Sequence, residues 1–147
     1  MRMLTKPRLI LVLIAVFAFL GFLDATYLTI KHYHGVLPPC SVSGCENVLT
    51  SRYATVGTLP ISLLGSVYYL LVMGLSILKA LNPKFEIRIL VLLIFSGFFV
   101  SVILFLIQAL IIHSFCQYCL FSEAVSIFLL IFSIILLRLY KGTGYRE

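Results

Sequence analysis

The sequence predicts an all-α integral membrane protein built on four transmembrane helices, and three observations carry that reading. The 147 residues are 62% apolar and only 11% charged. Their mean hydropathy of +1.16 is more than a soluble domain of this length can hide in a core. The apolar residues also come in long unbroken runs rather than in alternating or helical stripes. Four runs reach the ~20 residues that a helix needs to cross a hydrocarbon core of ~30 Å. Lipid offers no partner for backbone N–H and C=O groups, so runs of this length and continuity are helices.

The first run, Leu9 to Ile30, follows Arg2, Lys6 and Arg8 in the manner of a secretory signal. It is too long for a signal's apolar core, and no small-residue cleavage pattern follows before Lys31, so it is a retained span. The second run is Pro60 to Leu78, the third Ile89 to Ile112 and the fourth Leu120 to Leu137. No internal repeat or low-complexity segment interrupts them. Residues 1–147 are therefore expected to form one four-helix transmembrane domain, with no second soluble domain.

Orientation follows from loop charge, because Lys and Arg resist translocation. With four spans, the N-terminus, the 79–88 loop and the C-terminal tail share one side. They carry nine of the 11 basic residues: Arg2, Lys6, Arg8, Lys79, Lys84, Arg88, Arg138, Lys141 and Arg146. The opposite side has Lys31 and Arg52. This predicts an inner or plasma membrane protein with both termini in the cytoplasm. Topology also accounts for the net charge of +6, with no nucleic-acid partner required.

All four cysteines then face the extracytoplasmic side, where disulfides form and persist. Cys40 and Cys45 lie in the loop between spans one and two; Cys116 and Cys119 form a C-x-x-C pair at the mouth of span four. Inert staples are one reading, but the short C-x-x-C ring is typical of redox pairs. A zinc site helped by His32, His34 or His113 is another, and would suit a metal-handling membrane protein. Outward-facing thiols favour redox work over zinc, so no metal ligands are assigned. Cys116, at or just before the first turn of a helix, is placed where unpaired N–H groups and the helix dipole stabilise a thiolate. Cys116, Cys119 and Glu123 share one helix face at i, i+3 and i+7.

Polar side chains within spans are costly and are functional candidates by default. Asp24, Gln108 and Glu123 each lie roughly 6–10 Å inside the outer boundary at 1.5 Å per residue. Interhelical glue is the bland reading for any one of them. Three at one depth beneath a dithiol suggest a polar-lined pocket. A lipid-soluble two-electron carrier suits such a pocket, and a quinone takes up the two electrons and two protons that a dithiol releases. Tyr27, Tyr68, Tyr69, Phe115 and Phe121 are candidates to pack its ring.

On these marks the sequence resembles the vitamin K epoxide reductase family in its short bacterial form, over about residues 20 to 135. The marks are Cys40 and Cys45, Ser51 six residues on, then Gly57 and Pro60, then Gly65 and Tyr69, and "CQYC" opening span four. The stretch "LDATYLTIKHY" looks like the end of the family's first helix. The resemblance implies a bundle around a quinone (ubiquinone, menaquinone or vitamin K-type), capped by an extracytoplasmic loop carrying a short half-helix. "ENVLTSRY" suits that half-helix, with Val48, Leu49 and Tyr53 able to face the lipid. It also implies an order of electron flow. Cys40 would exchange with a thioredoxin-like partner, Cys45 would pass electrons to Cys116, Cys119 would face the quinone, and Ser51 would assist by hydrogen bonding. The expected site is thus Cys40, Cys45, Cys116, Cys119 and Ser51 for catalysis, with Asp24, Tyr69, Gln108 and Glu123 at the quinone. The expected function is reoxidation of that partner, in support of disulfide formation outside the cytoplasm. Many bacterial members carry a fused thioredoxin-like domain; here the expectation is that none is fused and that the partner acts in trans. Animal members also act on vitamin K epoxide, and Glu123 stands where a neutral hydroxyl donor would suit that activity.

Overall fold

A computed structural model describes residues 2–142, with side chains from Lys6 onward. The Arg2 side chain, Arg146 and the C-terminal Glu147 lie outside the described residues. In chain order the elements are α1 (Arg2–Tyr33), α2 (Cys45–Leu49), β1 (Thr55–Val56), β2 (Leu59–Pro60), α3 (Ile61–Leu81), α4 (Ile87–Leu106) and α5 (Gln117–Gly142). A π-helical turn over Ile107–Ile112 prolongs α4. Among the described residues four helices are long and apolar enough to cross a membrane: Lys6–Tyr33, Ile61–Leu81, Ile87–Ile112 and Gln117–Gly142. Three predicted runs lie inside them; the second begins one residue early, because Pro60 caps α3 in extended backbone with φ −68° and ψ 140°.

Helices in lipid gain nothing from hiding apolar area from one another, so small residues and interhelical hydrogen bonds hold them. The α1–α3 seam is built this way. The Ser76 hydroxyl donates to the Leu11 carbonyl (2.6 Å), Thr29 donates to Ser62 (3.0 Å), and Thr26 and Ser66 share a bond of 2.8 Å. Helix α5 packs on both α1 and α4, whereas α3 touches α4 far less than it touches α1. Ile14, Val72, Leu90, Leu129 and Leu136 form the buried centre.

Gly21 sits on this seam for a steric reason. A Cβ there would lie 2.6 Å from the Tyr69 ring, and that ring is anchored by its hydroxyl to Ser122 (2.7 Å) and Ser126 (3.3 Å) of α5. Gly21→Ala is therefore expected to destabilise the bundle by roughly 1–3 kcal/mol, the usual cost of overpacking. Gly74→Ala, where an added Cβ meets nothing within 4 Å, is the control. Unfolding midpoints in detergent check the pair, and equal midpoints would contradict the steric argument.

The loop between α1 and α3 carries the expected half-helix, but α2 ends at Leu49. Two hydroxyls turn back on its carbonyls: Thr50 donates to Glu46 (2.7 Å) and Ser51 to Val48 (2.8 Å). Side-chain bonds of this kind compete with helix continuation. The expectation that Val48 faces lipid is overturned: it is 8% exposed and packs with Cys45 and Cys116. Beyond it the chain makes a tight hairpin, pairing Thr55 with Pro60 and Val56 with Leu59. Gly57 turns it with φ +64°, which explains a glycine at that mark.

Candidate active site

The four cysteines gather at the end of the bundle where α1 finishes and α5 starts. Gly44 adopts φ +116°, and a Cβ on it would meet the Ser114 Cβ at 3.0 Å. That close approach delivers Cys45, at the start of α2, against the start of α5. Cys45 and Cys116 are 1% and 0% exposed, Cys119 is half-buried and Cys40 is exposed. Their thiols form one line of neighbours: Cys45 lies beside both Cys40 and Cys116, and Cys116 beside Cys119. Two tethers hold the Cys40 loop down. The Ser41 N–H donates to Gln117 Oε1 (3.1 Å), and the Tyr118 hydroxyl donates to the Pro39 carbonyl (2.9 Å).

Cys116 immediately precedes α5, as the sequence predicts. Its thiol is held at about 6, first by the Cys119 thiol that donates to it, and further by the backbone N–H groups of Cys119 and Tyr118 and the Cys45 thiol, against burial. Cys45 is pushed up to about 12, first by burial and then by its bonds with Cys40 and Cys116. The two sulfurs are thus unequal: Cys116 is the better leaving group and Cys45 the one that keeps its proton. In reduced protein the thiolate ultraviolet absorbance is expected to show a step near pH 6 that is absent from Cys116→Ser. The sign is fixed: as pH falls through that value Cys116 is protonated. A Cys116 titrating in the ordinary thiol range would contradict this assignment.

Beneath the thiols lies a cavity of about 980 Å³, reached by all four long helices and by the loop. Of the predicted site residues, Asp24, Ser51, Tyr69, Gln108, Cys119 and Glu123 line it. Cys40 and Cys45 line instead a smaller outward groove of about 260 Å³, beside Leu37 and Val42, and Cys116 stands between the two. Gln108, 3% exposed, accepts the Cys116 backbone N–H at Oε1 (3.1 Å) and donates from Nε2 to Glu123 Oε1 (2.9 Å). For these two residues the interhelical bond exists and also reaches the cysteine pair. Asp24 leaves Oδ2 buried with no hydrogen-bond partner among the described residues, as does the Tyr68 hydroxyl. The Tyr69 hydroxyl is committed to Ser122, donating to its carbonyl oxygen (2.9 Å), so Tyr69 offers the cavity its ring. Ser51 bonds to Val48 rather than to a sulfur.

Three predicted aromatics do not line the cavity. Tyr27 packs at a tilt against Tyr118 (centroids 5.6 Å apart), Phe115 likewise against Phe105 (6.0 Å), and Phe121 is 45% exposed on the outer surface of the bundle. Ser122 and Arg52, which sequence reasoning passed over, do line it. Ser122 and Ser126 had a signal, two small hydroxyl residues one turn apart inside an apolar span. Arg52 had none. Among the described residues no group of three or more His, Cys, Asp and Glu is arranged to hold a metal ion.

A membrane-spanning helical bundle that leads a line of thiols from an exposed loop to a largely apolar cavity among its helices is the architecture of an integral membrane oxidoreductase. The family model for vitamin K epoxide reductase matches residues 12–134, and the chain belongs to that family. No curated protein matches the chain significantly.

Proposed function

We propose that this protein oxidises a thioredoxin-like partner on the extracytoplasmic side and passes the electrons through its two cysteine pairs to a membrane quinone. The observation that carries this reading is the unbroken line of neighbouring thiols from exposed Cys40 through Cys45 and Cys116 to Cys119 at the cavity. Each transfer is a thiol–disulfide exchange in which a thiolate attacks a sulfur and displaces another thiolate. The partner's thiolate attacks Cys40 of a Cys40–Cys45 disulfide and expels Cys45; the partner's second thiolate then attacks its own sulfur in that mixed disulfide and expels Cys40, so the partner leaves with a disulfide. Reduced Cys45 attacks Cys116 of a Cys116–Cys119 disulfide and displaces Cys119. Cys40 next attacks Cys45 and expels Cys116, whose lowered pKa makes it a ready leaving group.

The Cys116–Cys119 disulfide is then restored: one S–S bond forms, two S–H bonds break, and two electrons and two protons leave. A bound quinone supplies the acceptor for both, becoming a quinol, and enzymes of this family are in general quinone-linked. The cavity suits such a ring. Its volume is within the range of small-molecule sites, Tyr68 and Tyr69 offer aromatic faces, and the orphaned Asp24 Oδ2 and Tyr68 hydroxyl are polar atoms awaiting a partner. Cys119, Asp24 and Glu123 would hold the ring's reacting end.

The test is oxidation of a reduced thioredoxin-like protein by the purified protein in detergent, with and without a short-chain quinone. Oxidation that needs both the quinone and the cysteines supports the reading; cysteine-independent oxidation ends it. Metal retained through purification, with no quinone dependence, would favour metal handling. The orientation behind the proposal has its own check. A reporter fused at Asn82 is expected to read cytoplasm and one at Gly35 the outer side; the reverse would put the thiols in a reducing compartment.

A further inference from the structure

Gln108 lies in the π-helical turn that prolongs α4, the kind of local widening often found at functional sites. Its carboxamide is engaged at both ends, and the order of those ends is not free. The Cys116 backbone N–H can only donate, so the amide oxygen must face it and the amide NH₂ must face Glu123. Glu123 Oε1 receives that N–H (2.9 Å) and is therefore an acceptor. It cannot also present a proton to Gln108. Any proton on the Glu123 carboxyl is assigned to Oε2, which makes no hydrogen bond with the described residues. Glu123 lines the cavity together with Cys119.

We propose that Gln108 is a positioning residue that places the Glu123 proton on Oε2, making Glu123 the group that hands a proton to the quinone. This rests on the quinone reading given above. As the Cys116–Cys119 bond forms, the two electrons pass to the quinone. One proton goes from Glu123 Oε2 to a quinone oxygen, and Glu123 regains it from a breaking S–H bond. Cys116, whose thiol is held at about 6, has already released its proton to water at neutral pH, and an equivalent proton reaches the other quinone oxygen from water, so two protons and two electrons are released in all and two of each are taken up. The Cys116 N–H has a part in this arrangement: it orients the amide, so the start of α5 and the acid in the cavity are set by one side chain.

The test uses reduced full-length protein in detergent with a short-chain quinone. Gln108→Met keeps the length and removes both bonds. It is expected to leave quinone affinity within about twofold and to slow single-turnover oxidation of the dithiol by about 10²-fold, the lower end of what a positioned proton donor contributes. In a Glu123→Gln background the same change is expected to add almost nothing, because its effect runs through Glu123. Gln108→Glu, which keeps the shape and an oxygen for Cys116 but no longer compels Oε1 to accept, guards against misfolding and is expected to slow the same step. A readout without quinone completes the test. The Glu123 carboxyl band in infrared difference spectra, assigned by its loss in Glu123→Gln, is expected to shift in Gln108→Met. An unmoved band, or effects that multiply in the double variant as simple bracing of α5 would give, overturns the proposal. Failure of the wild-type protein to bind quinone sinks the quinone reading instead, and the infrared result then still reports whether Gln108 sets the carboxyl.

Discussion

Cys119→Ser is expected to abolish quinone-dependent turnover and to leave a disulfide between Cys45 and Cys116. Cys119 is the sulfur that lines the cavity, and removing a residue that reacts covalently costs on the order of 10³-fold or more. The trapped bond follows from the contacts. Cys116 touches the Cys119 and Cys45 thiols; once Cys119 cannot close the C-x-x-C ring, Cys45 is the next sulfur within reach. Exposed Cys40 is held on the other side of Cys45, in the outward groove. Peptide mapping under non-reducing conditions checks this. Recovery of a Cys40–Cys116 disulfide instead would mean that the loop rearranges and that the contact chain is not the route.

Cys45→Ser is expected to stop partner-driven turnover equally completely, but at the other end of the chain. Cys40 remains exposed and reactive toward a partner, while the sulfur that connects it to buried Cys116 is gone. Offered the disulfide form of the partner, the Cys40 thiolate attacks it and joins one partner sulfur while the other leaves; with no Cys45 thiol beside Cys40 to displace the partner, the mixed disulfide should persist and be recoverable by mass. A serine fills nearly the same space, and Cys45 packs with Val48 and Cys116 in a small cluster, so folding should survive. Finding the partner attached to Cys116 while Cys40 and Cys45 are intact would reverse the order of transfer. Unimpaired turnover in this variant would remove Cys45 from the mechanism.

How much of the site was legible beforehand can be judged from particular residues. Cys116 at the mouth of α5 needed only the spacing of "CQYC" and the start of an apolar run, because helix N-termini carry unpaired N–H groups wherever they occur. Asp24, Gln108 and Glu123 were legible as a set, since a polar group inside a span stands out by cost alone. Their partners were not. Nothing local says that Gln108 reaches Cys116 and Glu123 at once, because that depends on a π-helical turn which rotates the end of α4. Val48 was misjudged because five helical residues ended by two back-bonding hydroxyls do not have the face that eight would have.

From the sequence by itself came the four spans, the expectation that all four cysteines share one side of the membrane, and the common level of the three polar residues beneath them. All of these depend on length, apolarity and distance along the chain, which bilayer thickness and helix rise convert directly into position. Only the tertiary structure decided which thiols touch, where the cavity opens, and which aromatics face it. A span that is apolar nearly all round has no stripe to mark its buried side, so its rotation about its own axis is set by packing against its neighbours. That rotation settles whether Tyr69 faces the cavity or, like Phe121, the outer surface.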